Sequence, residues 1–231
     1  MARKKNLLMK ARTLITNFNP KSPISEQYRT IRTNLQFASV DRDLRTMIVT
    51  SPGPGEGKSM TAANIATVFA QQGKKVLLID ADLRKPTMHY TFRVDNSKGL
   101  SNYLVGSDAL FETAAASGIE NLHVMPCGPI PPNPAELLGS KAMNGLIEEA
   151  QQEYDLVIFD TPPVLAVTDS QILANMCDGA LLVVRSKQTE NDSAQKAKEL
   201  LENAHAKILG VVLNGKQIKK SNYYYYYGTN A

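Results

Sequence analysis

The sequence predicts an α/β fold: a single domain with a mostly parallel sheet and helices on both faces. Two observations carry this prediction. Short apolar segments alternate along the chain with segments of helical periodicity, and the short segments are hydrophobic at nearly every position. A strand that is apolar on both faces is typical of a parallel sheet covered by helices. The length of 231 residues suits one such domain.

The individual elements follow from local signals. Ser25 is typical of a helix N-cap, and a helix is predicted over residues 26–37. Gly73 ends the helix predicted over residues 58–72. The predicted strands span residues 46–50, 75–79, 122–126, 155–159, 179–184 and 207–213, and further helices are predicted over residues 141–153 and 189–203.

The composition excludes several classes of protein. No apolar run approaches the roughly 20 residues that span a bilayer, and no small-residue cleavage site follows the charged start, so neither a transmembrane helix nor a secretory signal is predicted. Cys127 and Cys177 lie far apart, which excludes a disulfide framework and fits a reduced cytosolic compartment. With only three histidines besides, the chain offers few ligands for a structural zinc site.

The positive charge is concentrated at the N-terminus. Residues 1–40 hold eight Lys and Arg against one Asp or Glu, whereas the other residues hold 18 against 21. We therefore predict a basic arm over residues 1–20, a domain over 21–215 and a flexible tyrosine-rich tail over 216–231. The arm is either a solvated segment or an element that docks on a partner or on an anionic membrane surface. Nucleic acid is not expected as a ligand, because few aromatic residues lie between the basic ones.

A phosphate-binding loop is predicted between the first strand and the helix that follows it. The run from Ser51 to Ser59 reads Ser-Pro-Gly-Pro-Gly-Glu-Gly-Lys-Ser, with Pro52 where the strict P-loop pattern has glycine. Its glycines let backbone N–H groups turn toward phosphate oxygens, and the helix N-terminus adds a favourable dipole. The residues expected to contact ATP here are Gly53, Pro54, Gly55, Glu56, Gly57, Lys58, Ser59 and Met60. An ordinary strand-to-helix turn is the alternative.

Three aspartates follow strands of the predicted sheet. Asp160 ends an apolar strand in a Walker B pattern, from which it could reach a magnesium ion at the P-loop. Asp80 and Asp82 follow the strand after the P-loop helix, and in an extended chain they face the same side. Neighbouring carboxylates repel unless a cation lies between them or one is protonated, so a metal ligand and a proton acceptor are a natural division of roles. A solvated loop with an N-capping aspartate is the alternative.

These motifs resemble those of the bacterial tyrosine kinases (BY-kinases), autokinases of capsule and exopolysaccharide synthesis built on a P-loop ATPase fold. Besides the P-loop, the resemblance rests on residues 78–86 (Leu-Ile-Asp-Ala-Asp-Leu-Arg-Lys-Pro), residues 158–163 (Ile-Phe-Asp-Thr-Pro-Pro) and residues 131–138 (Pro-Pro-Asn-Pro-Ala-Glu-Leu-Leu). The resemblance covers nearly the whole chain from about residue 20, and it implies a single-domain P-loop NTPase.

The resemblance implies roles for single residues. ATP and Mg²⁺ are the expected cofactors, and Lys58 neutralises phosphate charge. Asp80 accepts or orients the proton of the acceptor hydroxyl, by the resemblance and by its place beside Asp82. Asn214 is expected to contact adenine. Arg84 either acts on the substrate, by stabilising the transferred charge or lining the acceptor groove, or forms a plain salt bridge. The implied catalytic residues are Lys58, Asp80, Asp82 and Asp160, and the implied metal ligands are Ser59, Asp82 and Asp160.

A run of five tyrosines completes the resemblance and supplies the expected phosphate acceptors. These are Tyr223, Tyr224, Tyr225, Tyr226 and Tyr227. Adjacent tyrosines point to both faces of any strand, so a flexible substrate is favoured over a packed element, with a merely sticky tail as the alternative. The segment from Asn214 to Tyr227 extends to about 45 Å, which is enough to enter a neighbouring subunit's site.

The helix with Glu26, Arg29 and Arg32 resembles the one that mediates ring-like self-assembly in this family. Glu26 would meet Arg29 or Arg32 of a neighbour, and phosphorylation of the tail would dissolve the ring because each phosphate adds about −1.5 to −2 charges. An intrahelical pair at i,i+3 is the alternative.

The resemblance implies a split-type enzyme that regulates capsular or extracellular polysaccharide synthesis and export. Its expected partners are the cytoplasmic tail of a separate membrane activator, further copies of itself in a ring-like homo-oligomer, a cognate tyrosine phosphatase and protein substrates such as sugar-nucleotide enzymes. Its expected location is the cytoplasm, with recruitment to the inner face of the membrane. The alternative function is a nucleotide-gated assembly ATPase of the ParA/MinD-like class.

Overall fold

The computed structural model describes residues 13–38 and 43–216. Seven strands form one sheet in the order β3-β4-β2-β5-β1-β6-β7, and every neighbouring pair is parallel except β3 and β4. The strands are β1 (Thr46–Thr50), β2 (Val76–Asp80), β3 (Ala115–Ala116), β4 (Leu122–Met125), β5 (Leu156–Asp160), β6 (Gly179–Arg185) and β7 (Ile208–Asn214). The prediction of a mostly parallel α/β sheet is confirmed.

Helices cover both faces of this sheet. They are α1 (Ile15–Phe18), α2 (Pro23–Ala38), α3 (Lys58–Ala70), α4 (Met88–Phe92), α5 (Leu100–Leu104), α6 (Leu110–Thr113), α7 (Pro134–Leu138), α8 (Lys141–Glu153), α9 (Asp169–Met176) and α10 (Asn191–Asn203). In the described ranges no helix combines the length and the apolar character needed to cross a membrane.

Each face of the sheet contributes to its own apolar cluster. In β5, Phe159 packs with the cluster that includes Leu173 of α9, whereas Ile158 packs with the cluster that includes Ile65 and Phe69 of α3. All five residues of β1, β2 and β5 are buried, so the continuous apolar pattern reflects strands covered on both sides.

The segment that precedes the sheet packs on α3. Thr16 of α1 donates from its backbone N–H and its hydroxyl to Asn64 Oδ1, at 3.1 and 2.8 Å. Arg32 of α2 donates to the backbone oxygen of Val68 near the end of α3, at 2.9 Å. The sequence predicts a loosely ordered arm up to residue 20, but residues 15–18 form a helix with Thr16 buried. Residues 1–12 of that arm lie outside the described residues.

Most element boundaries differ from the prediction by one or two residues, and one cap is wrong. Helix α2 begins at Pro23, because the Ser22 hydroxyl accepts the backbone N–H of Ser25 at 3.1 Å. Ser25 is instead buried, and its hydroxyl donates to the backbone oxygens of Ile15 and Asn19. The short helices α4 to α7 and α9 are not among the predicted elements, because so few residues carry little periodicity.

Candidate active site

The P-loop joins β1 to α3 at the carboxyl edge of the sheet, where the parallel strands end. Gly55 and Gly57 have φ values of +79° and +94°, which side chains other than glycine rarely adopt. The Glu56 carboxylate accepts the backbone N–H of Gly53 at 3.0 Å and so closes the loop on itself. The predicted strand–loop–helix setting is present despite Pro52.

Two residues hold the P-loop from its outer side. Arg185, at the end of β6, donates to the backbone oxygen of Gly55 at 3.1 Å. Asn214, at the end of β7, donates through Nδ2 to the backbone oxygen of Glu56 at 2.8 Å. In a trans peptide the C=O and the N–H of the following residue point in opposite directions. Because Arg185 and Asn214 bind the carbonyl oxygens of Gly55 and Glu56, the N–H groups of Glu56 and Gly57 point away from Arg185 and Asn214, respectively. The arrangement favours N–H groups that face an anion inside the loop.

Lys58, the first residue of α3, lies between two carboxylates. Its Nζ is 3.0 Å from Asp82 Oδ2 and 3.3 Å from Asp160 Oδ1, and it also donates to the Ser59 hydroxyl at 3.2 Å. Burial by itself lowers the pKa of Lys58, but the charges of Asp160 and Asp82 outweigh burial and raise that pKa. Lys58 is therefore held as a cation between the segment that follows β2 and the end of β5.

Asp80 and Asp82 have different partners. Asp80 Oδ2 accepts the backbone N–H groups of Thr87 and Met88 at 2.7 and 2.8 Å, which fixes the loop after β2, whereas Asp82 turns to Lys58. The strand ends at Asp80 and the chain turns there, so the extended geometry assumed in the sequence analysis does not continue to Asp82. Burial, and next the charge of Asp160, raises the pKa of Asp80 to about 7.

Asp160 is fully buried, and its Oδ2 has no hydrogen-bond partner among the described residues. Burial raises the pKa of Asp160, against the lowering effect of the Lys58 charge. An orphaned carboxylate oxygen beside Asp82 and the Ser59 hydroxyl is a donor set that suits Mg²⁺, which usually keeps several waters and takes one or two carboxylates. In residues 13–38 and 43–216, no group of three or more His, Cys, Asp or Glu side chains could hold a metal ion by itself.

Arg84 forms a bidentate ion pair with Asp169, the first residue of α9. Arg84 Nε lies 2.9 Å from Asp169 Oδ2 and Arg84 Nη2 lies 3.0 Å from Asp169 Oδ1. Of the two expectations for Arg84, the structure shows the salt bridge. Asp169 was missed in the sequence, because an aspartate at a helix start is ordinarily an exposed cap and its burial depends on the tertiary fold.

The predicted site residues fall into three groups. Those of the P-loop, the three aspartates and Asn214 come together at the carboxyl edge. In the predicted assembly helix, Glu26 pairs with Arg29 at i,i+3 within the chain, while Arg32 binds α3. The five tyrosines, Tyr223 to Tyr227, lie outside the described residues. Arg185 was also missed, although it ends its strand as Asp160 and Asn214 end theirs, and that position is a usable signal.

The comparisons with known proteins first define a class. The family model described as an AAA domain matches residues 44–209. The structure of the septum site-determining protein MinD from Pyrococcus horikoshii, in complex with Mg-ADP, is 22% identical over 80% of this chain and 78% of that one, with a TM-score of 0.64. This likeness shows the fold alone, a P-loop ATPase fold.

Nearer relatives define the family. The chain is 56% identical to tyrosine-protein kinase YwqD of Bacillus subtilis, over 94% of this chain and 92% of that protein. It is 40% identical to tyrosine-protein kinase CpsD of Streptococcus agalactiae, over 82% of this chain and 81% of that protein. The kinase domain of the Escherichia coli tyrosine kinase ETK superposes with a TM-score of 0.86 at 38% identity, over 90% of this chain and 82% of that one. The chimerical protein CapA2B2 gives the same TM-score at 44% identity, over 89% and 90% of the two chains. The chain belongs to the bacterial tyrosine kinases.

Proposed function

We propose that this chain is an ATP-dependent protein-tyrosine autokinase that phosphorylates Tyr223 to Tyr227 of a neighbouring copy. The observation that carries the proposal is the position of Lys58, which lies at the mouth of the P-loop between Asp82 and Asp160. Phosphoryl transfer depends on positioning and on electrostatic stabilisation, and a partly buried lysine beside two carboxylates at the start of the P-loop helix offers both.

The P-loop would bind the phosphates of ATP through its backbone N–H groups and through Lys58. Ser59, Asp82 and Asp160 would hold Mg²⁺, either directly or through water, and the metal would neutralise charge on the phosphate oxygens when bound. Asn214 donates through Nδ2 to the P-loop, so its Oδ1 is the atom that we assign to adenine recognition.

Asp80 is the residue that we assign to the tyrosine proton. In the protein without nucleotide, burial and the charge of Asp160 raise its pKa to about 7, so this carboxyl can take up a proton near neutral pH. The N–H groups of Thr87 and Met88 hold Oδ2, which leaves Oδ1, with its longer 3.3 Å contact to the Asp82 N–H, as the oxygen that receives or orients the proton.

The regulatory part of the proposal concerns capsular or extracellular polysaccharide synthesis and export. We infer a membrane activator, ring-like assembly through the helix with Glu26, Arg29 and Arg32, a cognate phosphatase and further protein substrates. The exposed Glu26 and the eight Lys and Arg of residues 1–40 support a charged docking role for this end of the chain.

Mass spectrometry of the C-terminal peptide after incubation with ATP and Mg²⁺ tests the proposal. The wild type is incubated with and without a candidate membrane-protein tail, and we expect phosphate on Tyr223 to Tyr227 when the tail is present. Lys58→Met should remove it. The matched control is Lys198→Met, since Lys198 forms an exposed i,i+4 pair with Glu202 away from the site and should leave phosphorylation unchanged.

Transfer between subunits is tested by mixing two chains, neither of which can phosphorylate its own tail. One chain carries Lys58→Met and an intact tail, and the other keeps Lys58 but carries Phe at all five tyrosines. Phosphate on the Lys58→Met chain would establish transfer in trans, whereas phosphate in the wild type but not in this mixture would establish transfer in cis. No phosphate on any chain, with ADP still bound, would favour the nucleotide-gated assembly ATPase.

A further inference from the structure

Arg84 and Asp169 form an ion pair, and neither residue is among those that we assign to nucleotide or metal binding. The Asp169 carboxylate is fully buried, and both of its oxygens are bound by one guanidinium that is itself 41% exposed. A buried carboxylate is costly unless it is paired, and a bidentate arginine is the partner that fixes its orientation as well as its charge.

The two ends of this pair belong to the two segments that carry the predicted metal ligands. Arg84 lies two residues after Asp82. Asp169 begins α9, whose next residue, Ser170, donates its hydroxyl to the backbone oxygen of Pro162, two residues after Asp160. The hydroxyl of Thr50, at the end of β1, also donates to this oxygen, at 2.9 Å. Asp169 is therefore tied firmly to the segment that follows β5.

Side chains join these two segments beyond the end of the sheet. The last backbone contact between them is the N–H of Ala81 to the oxygen of Asp160, at 2.9 Å. Past that point Lys58 bridges Asp82 and Asp160, and Arg84 bridges to Asp169. The phosphates of a nucleotide would compete for Lys58, because a P-loop lysine reaches the β- and γ-phosphates. The phosphates would not compete for Arg84, so its ion pair with Asp169 would remain.

We propose that Arg84 and Asp169 are a positioning pair that keeps Asp82 and Asp160 at the spacing required for Mg²⁺ once phosphates engage Lys58. This inference rests on the proposed nucleotide site but not on tyrosine as the acceptor. The pair acts on the metal through the two segments and does not touch it. Partners outside the ligand set are worth about 10- to 100-fold in metal affinity where they orient the ligands.

The test is calorimetric titration with ADP, once with Mg²⁺ and once with EDTA. The ratio of the two dissociation constants measures how much the metal strengthens binding. In Arg84→Gln and in Asp169→Asn, we expect this ratio to fall about tenfold, with binding in EDTA nearly unchanged. Arg84→Lys should fall between, because a lysine keeps the charge but not the bidentate geometry. Lys198→Gln, in the exposed pair with Glu202, is the matched control and should keep the wild-type ratio.

The variants separate positioning from folding. Arg84→Gln leaves a buried carboxylate unpaired, so thermal unfolding without ligand accompanies each titration. The double variant Arg84→Gln/Asp169→Asn removes both charges, keeps side chains of similar shape, and should show the same tenfold loss if it is the geometry of the ion pair that matters.

Two results would overturn the inference. One is a wild-type ratio in the double variant, and the other is an equal loss of affinity with Mg²⁺ and with EDTA, which would place Arg84 on the phosphates instead. A wild-type chain that binds no ADP would instead sink the proposed nucleotide site. Normal metal-dependent ADP binding without any tyrosine phosphorylation would sink the kinase proposal and leave the positioning role intact.

Discussion

The loops at the carboxyl edge and at the amino edge of the sheet differ in the side chains that they bring together. At the carboxyl edge, Asp80 and Asp160 are buried at the ends of their strands, where Asp80 accepts loop N–H groups and Asp160 pairs with the partly buried Lys58. At the amino edge, a shallow open cavity is lined mainly by uncharged groups, among them Asn17 and Gln71, with Glu120 as its charged member. None of the ion pairs among the described residues includes a residue that lines this cavity. The contrast teaches that buried charge, more than concavity, distinguishes the end of the sheet to which we assign nucleotide binding.

The largest loss of stability and of ADP affinity is expected for a substitution at Gly57, where a strained backbone and the proposed phosphate-binding loop coincide. A Cβ at Gly57 would lie 2.1 Å from Asn214 Nδ2, and the φ of +94° disfavours any side chain. Gly57→Ala should therefore cost about 1–3 kcal/mol of stability and displace a residue that holds the P-loop. Thermal unfolding and ADP titration measure the two effects, and we expect ADP affinity to fall at least about tenfold, since that corresponds to only about 1.4 kcal/mol.

The matched change at the amino edge is Asn121→Ala. Asn121 also has a left-handed backbone, with φ of +61°, so alanine there should cost about 1 kcal/mol. Its backbone oxygen still accepts the N–H of Val76, and ADP affinity should stay at the wild-type value. Equal losses of ADP affinity in the two variants would break the comparison, because both ends would then serve nucleotide binding.

The next effect concerns the pH dependence of stability. The ordinary pKa of an aspartate is 3.8, and the folded value for Asp80 is about 7. A carboxyl with a raised folded-state pKa binds its proton more tightly in the folded state, so the stability that it contributes is present at low pH and is lost as pH rises toward 7. Between pH 6 and pH 8 the free energy of unfolding should fall by about 1 kcal/mol.

Urea unfolding of the nucleotide-free protein at both pH values measures this slope. Asp80→Asn cannot ionise, so its slope should be smaller than that of the wild type. A steeper slope in Asp80→Asn would contradict the assignment of the proton to Asp80. A slope of the same size would place the titration on Asp160, whose pKa burial also raises.

The smallest effect is expected at the open cavity. Glu120→Ala removes an exposed side chain and should change stability by no more than about 0.5 kcal/mol. Phosphorylation of the C-terminal peptide should be unchanged by mass spectrometry. A tenfold loss of that activity would instead make the amino edge part of the functional surface.

Sequence alone could predict the long elements and most of the proposed nucleotide site. Helix α8 matches its predicted residues 141–153, and the P-loop, Asp82, Asp160 and Asn214 converge because the ends of parallel strands meet at one edge. Polar contacts over long separations could not be predicted. The burial of Asp169 and its pairing with Arg84 join residues 85 positions apart, and the separate partners of Asp80 and Asp82 depend on a turn that no short pattern encodes.

The two ion pairs of Lys58 make ligand binding an exchange of partners. Lys58 is already paired with Asp82 and Asp160 before a phosphate arrives. In the proposed nucleotide complex, the contribution of Lys58 to affinity would be the free energy of the lysine–phosphate pair minus that of the two carboxylate pairs it replaces. The difference is smaller than the strength of a lysine–phosphate pair by itself suggests, and such an exchange keeps a site able to release what it binds.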